Sequence, residues 1–118
     1  MKPADRQAMR RIFELQCGIC KAMAHPVRLE IVEVLHDGEV SATALLKWLG
    51  TSKANLSKHM NQLTAAGITE VRREGRNAFY RLTHPDIHEA CAIMRSILYR
   101  RLKKGERITG LLESSRRR

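Results

Sequence analysis

Two short amphipathic segments separated by a glycine constrain the fold more than any other feature of this sequence. Ser41 is a favourable N-cap for the first segment, and Gly50 is placed to end it. Thr51 or Ser52 can cap the second segment, which Gly67 ends. The apolar residues recur at helical spacing: Ala44, Leu45, Trp48 and Leu49 in the first segment, and Leu56, Met60, Leu63 and Ala66 in the second. Two helices joined by so short a turn indicate a helix-turn-helix.

The segments on either side complete the predicted element order. Apolar spacing predicts helices over residues 5–23 and from Pro26 to about Leu35, and a long last helix from Pro85 through Leu102. Between the helix-turn-helix and the last helix, strand-like residues 68–73 and 78–82 flank a basic link, Glu74-Gly75-Arg76-Asn77, which predicts a β-hairpin. We call this hairpin the wing. The order is α-α-α-α-β-β-α, a mainly α, α+β chain with the plan of a winged helix-turn-helix.

Length and charge set the class of partner. The 118 residues suffice for one domain, and a net charge of +10 favours a polyanion such as nucleic acid. Residues 105–118 form a basic tail that we expect to be partly disordered, and DNA contact and simple solvation both remain open for it. No apolar run approaches the roughly 20 residues that cross a bilayer, and no signal peptide is recognisable. We therefore expect a cytoplasmic protein without membrane contact.

The second helix of the helix-turn-helix carries the residue types that read DNA. Its first turns expose small or hydrogen-bonding side chains, as a helix entering the major groove requires. The basic wing can lie along phosphates or enter the minor groove. The predicted DNA-binding residues are Ser52, Lys53, Asn55, Ser57, Lys58 and His59 on the helix, and Arg72, Arg73, Arg76 and Asn77 on the wing. Other interpretations are a merely solvated helix face and a winged helix used for protein contact; RNA binding is less favoured, because aromatic residues are few.

Several motifs together resemble the ArsR family of bacterial winged-helix repressors. They are Ala24-His25-Pro26-Val27-Arg28-Leu29-Glu30-Ile31, Ser57-Lys58-His59-Met60 within residues 52–63, Ala66-Gly67-Ile68, Arg72-Arg73-Glu74-Gly75-Arg76, and Phe79-Tyr80-Arg81-Leu82. The resemblance spans about residues 13–98. It implies a homodimer built on the first and last helices, bound to an inverted-repeat operator of double-stranded DNA and released by a small effector. It also implies that the helix residues predicted above, with Arg73, Gly75 and Arg76 of the wing, contact DNA.

The metal sites known in this family are only partly matched. Residues 39–45, the stretch that corresponds to the family's arsenic or cadmium site in the third helix, contain no cysteine. Asp86 and His88 fit the first half of a zinc or nickel pattern on the last helix, but Tyr99 and Leu102 stand where its second half requires ligands. We therefore expect no obligatory cofactor and no metal at Asp86 and His88.

Three cysteines are the alternative place for effector chemistry. Cys17 and Cys20 share one face of the first helix, and Cys91 lies on the inward stripe of the last helix. Converging thiolates could bind a thiophilic ion such as arsenite, or react with a reactive sulfur species in a redox response. The other interpretation is that all three only pack as small apolar residues.

Catalysis is not expected. A thiol oxidoreductase places its Cys-x-x-Cys motif at a helix start after a strand, whereas Cys17 and Cys20 fall in mid-helix. The sequence also holds no Ser-His-Asp pattern, phosphate-binding glycine loop or metal-hydrolase motif.

Overall fold

The computed structural model describes residues 2–105 and confirms the winged helix-turn-helix. The chain divides into two compact units, the first ending at Ile87 and the second beginning at His88. The elements are α1 Pro3–Met23, α2 Pro26–Val34 with a 3-10 turn Leu35–Asp37, β1 Val40–Ser41, α3 Ala42–Leu49, α4 Lys53–Ala65, β2 Thr69–Glu74, β3 Asn77–Leu82 and α5 Asp86–Lys104. Apart from Gly105, the tail predicted for residues 105–118 lies outside the described residues.

The helix boundaries follow from local chemistry. Pro26 occupies the first turn of α2, where its missing N–H is not needed, and His25 caps the helix by accepting from the N–H of Val27 at 3.1 Å. Ser41 caps α3 by accepting from the N–H of Ala44 at 3.1 Å. Gly50 then ends α3 at φ +62°, a left-handed conformation that glycine adopts without steric cost. These contacts explain why the sequence signals marked the helix ends so closely.

The sheet has one strand more than the sequence predicted. β1 pairs antiparallel with β3, with Val40 opposite Tyr80, so the strand order is β1-β3-β2. β2 and β3 pair up to Glu74 opposite Asn77, which leaves only Gly75 and Arg76 in the loop of the wing. Gly75 has φ +60°, a backbone conformation that residues other than glycine rarely adopt. The link of four residues expected from the sequence is therefore a two-residue loop.

The core of the first unit lies where α2, α3, α4 and the sheet meet. Its apolar residues are almost fully buried and were all at predicted helical or strand positions: Ile31, Val32, Leu35, Leu45, Leu56, Met60, Leu63 and Ile68. Burying one such side chain contributes about 1.5–3 kcal/mol. This core holds α4 against α2 and β2, and so fixes which side of α4 faces solvent.

The two long helices keep large apolar side chains at the surface of the single chain. On α1 these are Ile12, Phe13, Leu15 and Ile19; on α5 they are Ile93, Met94, Ile97, Leu98 and Tyr99. Each is more than two-fifths exposed. No helix within residues 2–105 combines the length and the apolar character that crossing a membrane requires.

Candidate nucleic-acid interface

The N-terminal end of α4 is fixed by two polar contacts. The hydroxyl of Ser52 accepts from the N–H of Asn55 at 3.1 Å, which is an N-cap bond. The amide Nδ2 of Asn55 donates to Oγ1 of Thr51 at 2.7 Å. Together they stabilise the first turn of α4 directly after the turn at Gly50. Asn55 is half-buried, and its other amide hydrogen and its carbonyl oxygen remain available.

One face of α4 is polar and exposed. Ser52, Lys53, Ala54, Ser57 and Lys58 are exposed, while the opposite face packs into the core. Neither Lys53 nor Lys58 forms a salt bridge within residues 2–105. A helix face with small side chains, hydroxyl groups and uncommitted cations has the chemistry for hydrogen bonds to base edges and for contacts with phosphates.

This exposed face continues further along α4 than the residues predicted from the sequence. Asn61 is exposed and lies four residues after Ser57, so both project from the same side of the helix. Its amide can donate and accept, as adenine recognition requires. In the sequence, the four-residue spacing between Ser57 and Asn61 is the pattern that indicates a shared helix face.

The side chain of His59 does not lie on the exposed face of α4, where the sequence predicted it. It is only 4% exposed, and its Nδ1 accepts a hydrogen bond from Nε of Arg28 at 3.1 Å. Its ring also packs at 4.4 Å, centroid to centroid, from that of His25. Burial, helped by the charges of His25, Arg28 and Lys58, lowers the pKa of His59 from its usual value. The structure therefore does not place His59 on the exposed face of α4, and a DNA contact of this residue stays a prediction.

The wing presents two arginines and an asparagine to solvent. Arg73 is on β2, Arg76 is in the two-residue loop, and Asn77 begins β3; all three are exposed. No salt bridge engages Arg73 or Arg76 in the part of the chain that the structure describes. Both guanidinium groups are available to phosphates or to the minor groove.

Arg72 is held differently from its neighbours. Its side chain crosses β3 and pairs with Glu39 through two hydrogen bonds, Nη2 to Oε1 at 2.7 Å and Nε to Oε2 at 3.2 Å. A third bond joins Nη1 to Glu74 at 2.8 Å, and Cζ lies 4.5 Å from the ring centroid of Phe79. The hydrogen bond from Arg72 lowers the pKa of Glu39, and the two carboxylates raise the pKa of Arg72. We call this arrangement of Glu39, Arg72 and Glu74 the arginine clasp.

The arginine clasp reduces the charge that Arg72 can offer to DNA. Two carboxylates surround one guanidinium, and all three groups are at least one-third exposed. A phosphate would have to displace a bidentate partner to reach Arg72. The sequence did not indicate a role for Glu39, because only β1 brings this residue next to the wing.

The cysteines are thiols, and no disulfide joins any of them within residues 2–105. Cys17 and Cys20 are exposed on α1, and Cys91 on α5 is half-buried. In the described part of a single chain, no group of three or more His, Cys, Asp and Glu side chains is placed to hold a metal ion. Asp86 begins α5 and is exposed, and His88 is half-buried.

Comparisons with known proteins place the chain among transcriptional regulators. A helix-turn-helix domain family matches residues 23–72. An uncharacterized HTH-type transcriptional regulator of Mycobacterium tuberculosis is 35% identical over 90 residues, which are 75% of this chain and 79% of that protein. The biofilm growth-associated repressor of Xylella fastidiosa is 36% identical over 78 residues, 66% of this chain and 68% of the repressor.

A solved structure shows the same fold. It is the solution structure of a homodimeric winged helix-turn-helix DNA-binding domain from Mycobacterium bovis, named as a possible ArsR-family transcriptional regulator. The TM-score is 0.72 at 27% identity, over 85% of this chain and 91% of that one. These relatives are named as regulators or repressors, in agreement with a protein that is not an enzyme.

Proposed function

Because this chain belongs to the ArsR family of winged helix-turn-helix transcriptional regulators, we propose that it represses transcription by binding an inverted-repeat DNA operator as a homodimer. The observation that carries this proposal is the exposed face of α4, with Lys53 and Lys58, followed by a wing whose Arg73 and Arg76 are unpaired within residues 2–105. The helix reads bases in the major groove, and the wing arginines neutralise phosphates.

The exposed apolar faces of α1 and α5 support the homodimer. An exposed apolar side chain is common on any protein, but rows of large ones along two helices mark an association surface. A twofold dimer would present two α4 helices about one turn of DNA apart, roughly 10–10.5 base pairs centre to centre. Sedimentation velocity should therefore give a dimer at micromolar concentration, and replacing Phe13 and Leu15 by Glu should shift it to a monomer.

Selection from random-sequence duplex DNA tests the operator. The wild-type protein should enrich an inverted repeat with half-sites spaced by one helical turn, and its affinity should fall steeply with salt. Lys53→Ala with Lys58→Ala should abolish the enrichment, whereas Lys21→Ala, which also removes an exposed cation, should not. No sequence preference together with a shallow salt dependence would mean that the domain binds proteins rather than DNA.

Thiol chemistry at Cys17, Cys20 and Cys91 is the proposed effector response. Exposure of Cys17 and Cys20 supports it, since an exposed thiol is not explained by packing within the chain, and their spacing of three puts both on one face of α1. A thiophilic ion such as arsenite and a reactive sulfur species both suit such thiols.

The cysteine response is tested by replacing all three residues with serine and titrating the DNA complex with arsenite and with polysulfide. Release of the wild type by one reagent, with no release of the triple variant, supports sensing and identifies the chemistry. Equal release of both proteins, or release of neither, means a DNA-binding repressor without cysteine sensing.

A further inference from the structure

A polar cluster lies at the junction of α1, α2 and α4, opposite the DNA-reading face. His59 of α4 is its buried member, at 4% exposure. Around it, His25 at the N-cap of α2 and Arg28 within α2 are part-buried. A buried imidazole needs a partner for its ring nitrogen, and Arg28 supplies one by donating from Nε to Nδ1 at 3.1 Å. The neutral ring therefore carries its proton on Nε2.

Arg28 also binds the end of α1. Its Nη1 donates to the backbone oxygen of Ala22 at 3.2 Å, in the last turn of that helix. A cation is favourable there, because the last carbonyls of a helix have no partner within the helix and carry partial negative charge. No carboxylate within residues 2–105 pairs with Arg28, so its partners are two neutral acceptors, one on α1 and one on α4.

Side-chain packing between α1 and α4 is incomplete beside this bridge. An open groove of about 470 Å³ is lined by Leu15 and Ile19 of α1, by Gln62 and Ala65 of α4, and by Arg28 itself. Where a groove replaces interlocking side chains, the relative position of two helices depends on the few directional contacts that span it. Arg28 makes such a contact with each helix.

We propose that Arg28 is a positioning residue for the DNA-reading helix: through His59 and the Ala22 carbonyl it couples the orientation of α4 to the position of α1. The proposal rests on the proposed function, because α4 is taken to read DNA. It adds a route by which α1, which carries Cys17 and Cys20, controls that helix. Lys58 is the residue next to His59 on the same helix, so a movement of α4 that shifts His59 also shifts Lys58 on the exposed face.

The bridge depends on the protonation of His59. A protonated imidazole has no acceptor at Nδ1 and would face the cation of Arg28. The charged or titratable groups around His59 are His25 at the N-cap of α2, Arg28 within α2 and Lys58 from α4 itself, and each of them opposes protonation. Asparagine at position 59 could keep an acceptor oxygen in place of Nδ1 without titrating.

DNA affinity of Arg28→Met, His59→Asn and wild type tests the proposal when it is measured above the ordinary histidine pKa of about 6.5 and well below it, because the pKa of His59 is lowered. Arg28→Met should bind about tenfold more weakly than wild type at the higher pH, equivalent to about 1.4 kcal/mol. Arg10→Met, which removes an exposed cation from α1, is the matched control and should change affinity by less than about twofold. His59→Asn should match wild type at the higher pH and keep its affinity at the lower pH, where wild type weakens.

Amide hydrogen exchange of the free protein provides a measurement that does not depend on DNA. Arg28→Met should accelerate exchange in α4 selectively, leaving α3 unchanged. Exchange like that of wild type in α4, or equal weakening of DNA binding by Arg28→Met and Arg10→Met, would overturn the proposal. Absence of any sequence preference in the wild type would instead contradict the proposed function, and the exchange result would still decide the role of Arg28.

Discussion

Replacing the wing arginines one at a time should distinguish those that bind phosphates from Arg72, whose side chain is paired with Glu39 and Glu74. Arg76 lies in the two-residue loop and is unpaired within residues 2–105, whereas Arg72 is engaged by two carboxylates and the Phe79 ring. Arg76→Gln removes a cation that DNA can use. Arg72→Gln removes one that is already neutralised, and it releases Glu39 and Glu74 from their partner.

The magnitude follows from counterion release. Each phosphate neutralised contributes about 0.9 to the slope of log affinity against log salt concentration, so Arg76→Gln should lower the slope by about 0.9. When salt rises about fourfold, from about 50 to 200 mM, the factor by which affinity falls should be about 3.5 times smaller for Arg76→Gln than for wild type. Arg72→Gln should leave the slope within about 0.3 of wild type, because its phosphate contact is expected to be absent.

Fluorescence anisotropy of a labelled operator duplex, titrated at several salt concentrations, measures these slopes. Arg10→Gln removes the same unit of charge from α1, away from the wing, and so controls for the net charge of the protein. Equal slopes for Arg72→Gln and Arg76→Gln would refute the reasoning, since ion pairing would then have no influence on which arginines bind phosphate. A slope change with Arg10→Gln as large as that with Arg76→Gln would refute it as well, because total charge alone would explain the data.

Further predictions concern stability. Burial and neighbouring cations lower the pKa of His59, so below about pH 6.5 the unfolded state binds more protons than the folded state. The free energy of unfolding in urea should therefore fall as the pH decreases from there, and it should fall more in wild type than in His59→Asn. Equal pH profiles for the two proteins would contradict this. Ser52→Ala should cost about 1 kcal/mol in thermal unfolding through loss of the N-cap, and an unchanged melting temperature would show that the cap is dispensable. Leu45→Ala, at a fully buried site, should cost about 2–5 kcal/mol, whereas Trp48→Ala, at a side chain 68% exposed, should stay within about 0.5 kcal/mol; similar losses for the two would contradict the burial described for α3.

Local signals made most of the fold predictable. Caps and glycines act within a few residues, so Ser41, Gly50 and Ser52 marked the ends of α3 and the start of α4 correctly. Helical periodicity predicted which residues form the core, since Leu56, Met60 and Leu63 are all buried. The family resemblance was confirmed by comparison with the regulators described above.

Features that depend on non-local contacts were missed. β1 has only two residues, too few for an alternating pattern, and pairs with a strand almost forty residues away. Without it, nothing in the sequence placed Glu39 beside Arg72. His59 was assigned to the DNA surface because its neighbours are polar, although it lies three residues after Leu56 and four before Leu63 and therefore on their apolar face.

Trp48 shows the limit of periodicity in a short helix. It lies three residues after the buried Leu45, so the sequence pattern included it among the apolar positions of α3. The structure leaves it 68% exposed, because α3 has only eight residues and buries Leu45 alone completely. Apolar spacing predicted that the helix would form, but not which of its apolar residues the neighbouring elements would cover.

Ser41 is at once the last residue of β1 and the N-cap of α3, and this double role limits how the chain length can vary. No spacer residue separates the sheet from the helix-turn-helix at this point. One residue inserted between Val40 and Ser41 would either shift the pairing with β3, and turn each β1 side chain to the other face, or move the cap out of reach of Ala44. Lengthening at the exposed tip near Gly75 would disturb neither contact. Natural variation in length among proteins with this plan is therefore expected at the tip of the wing and not at its base.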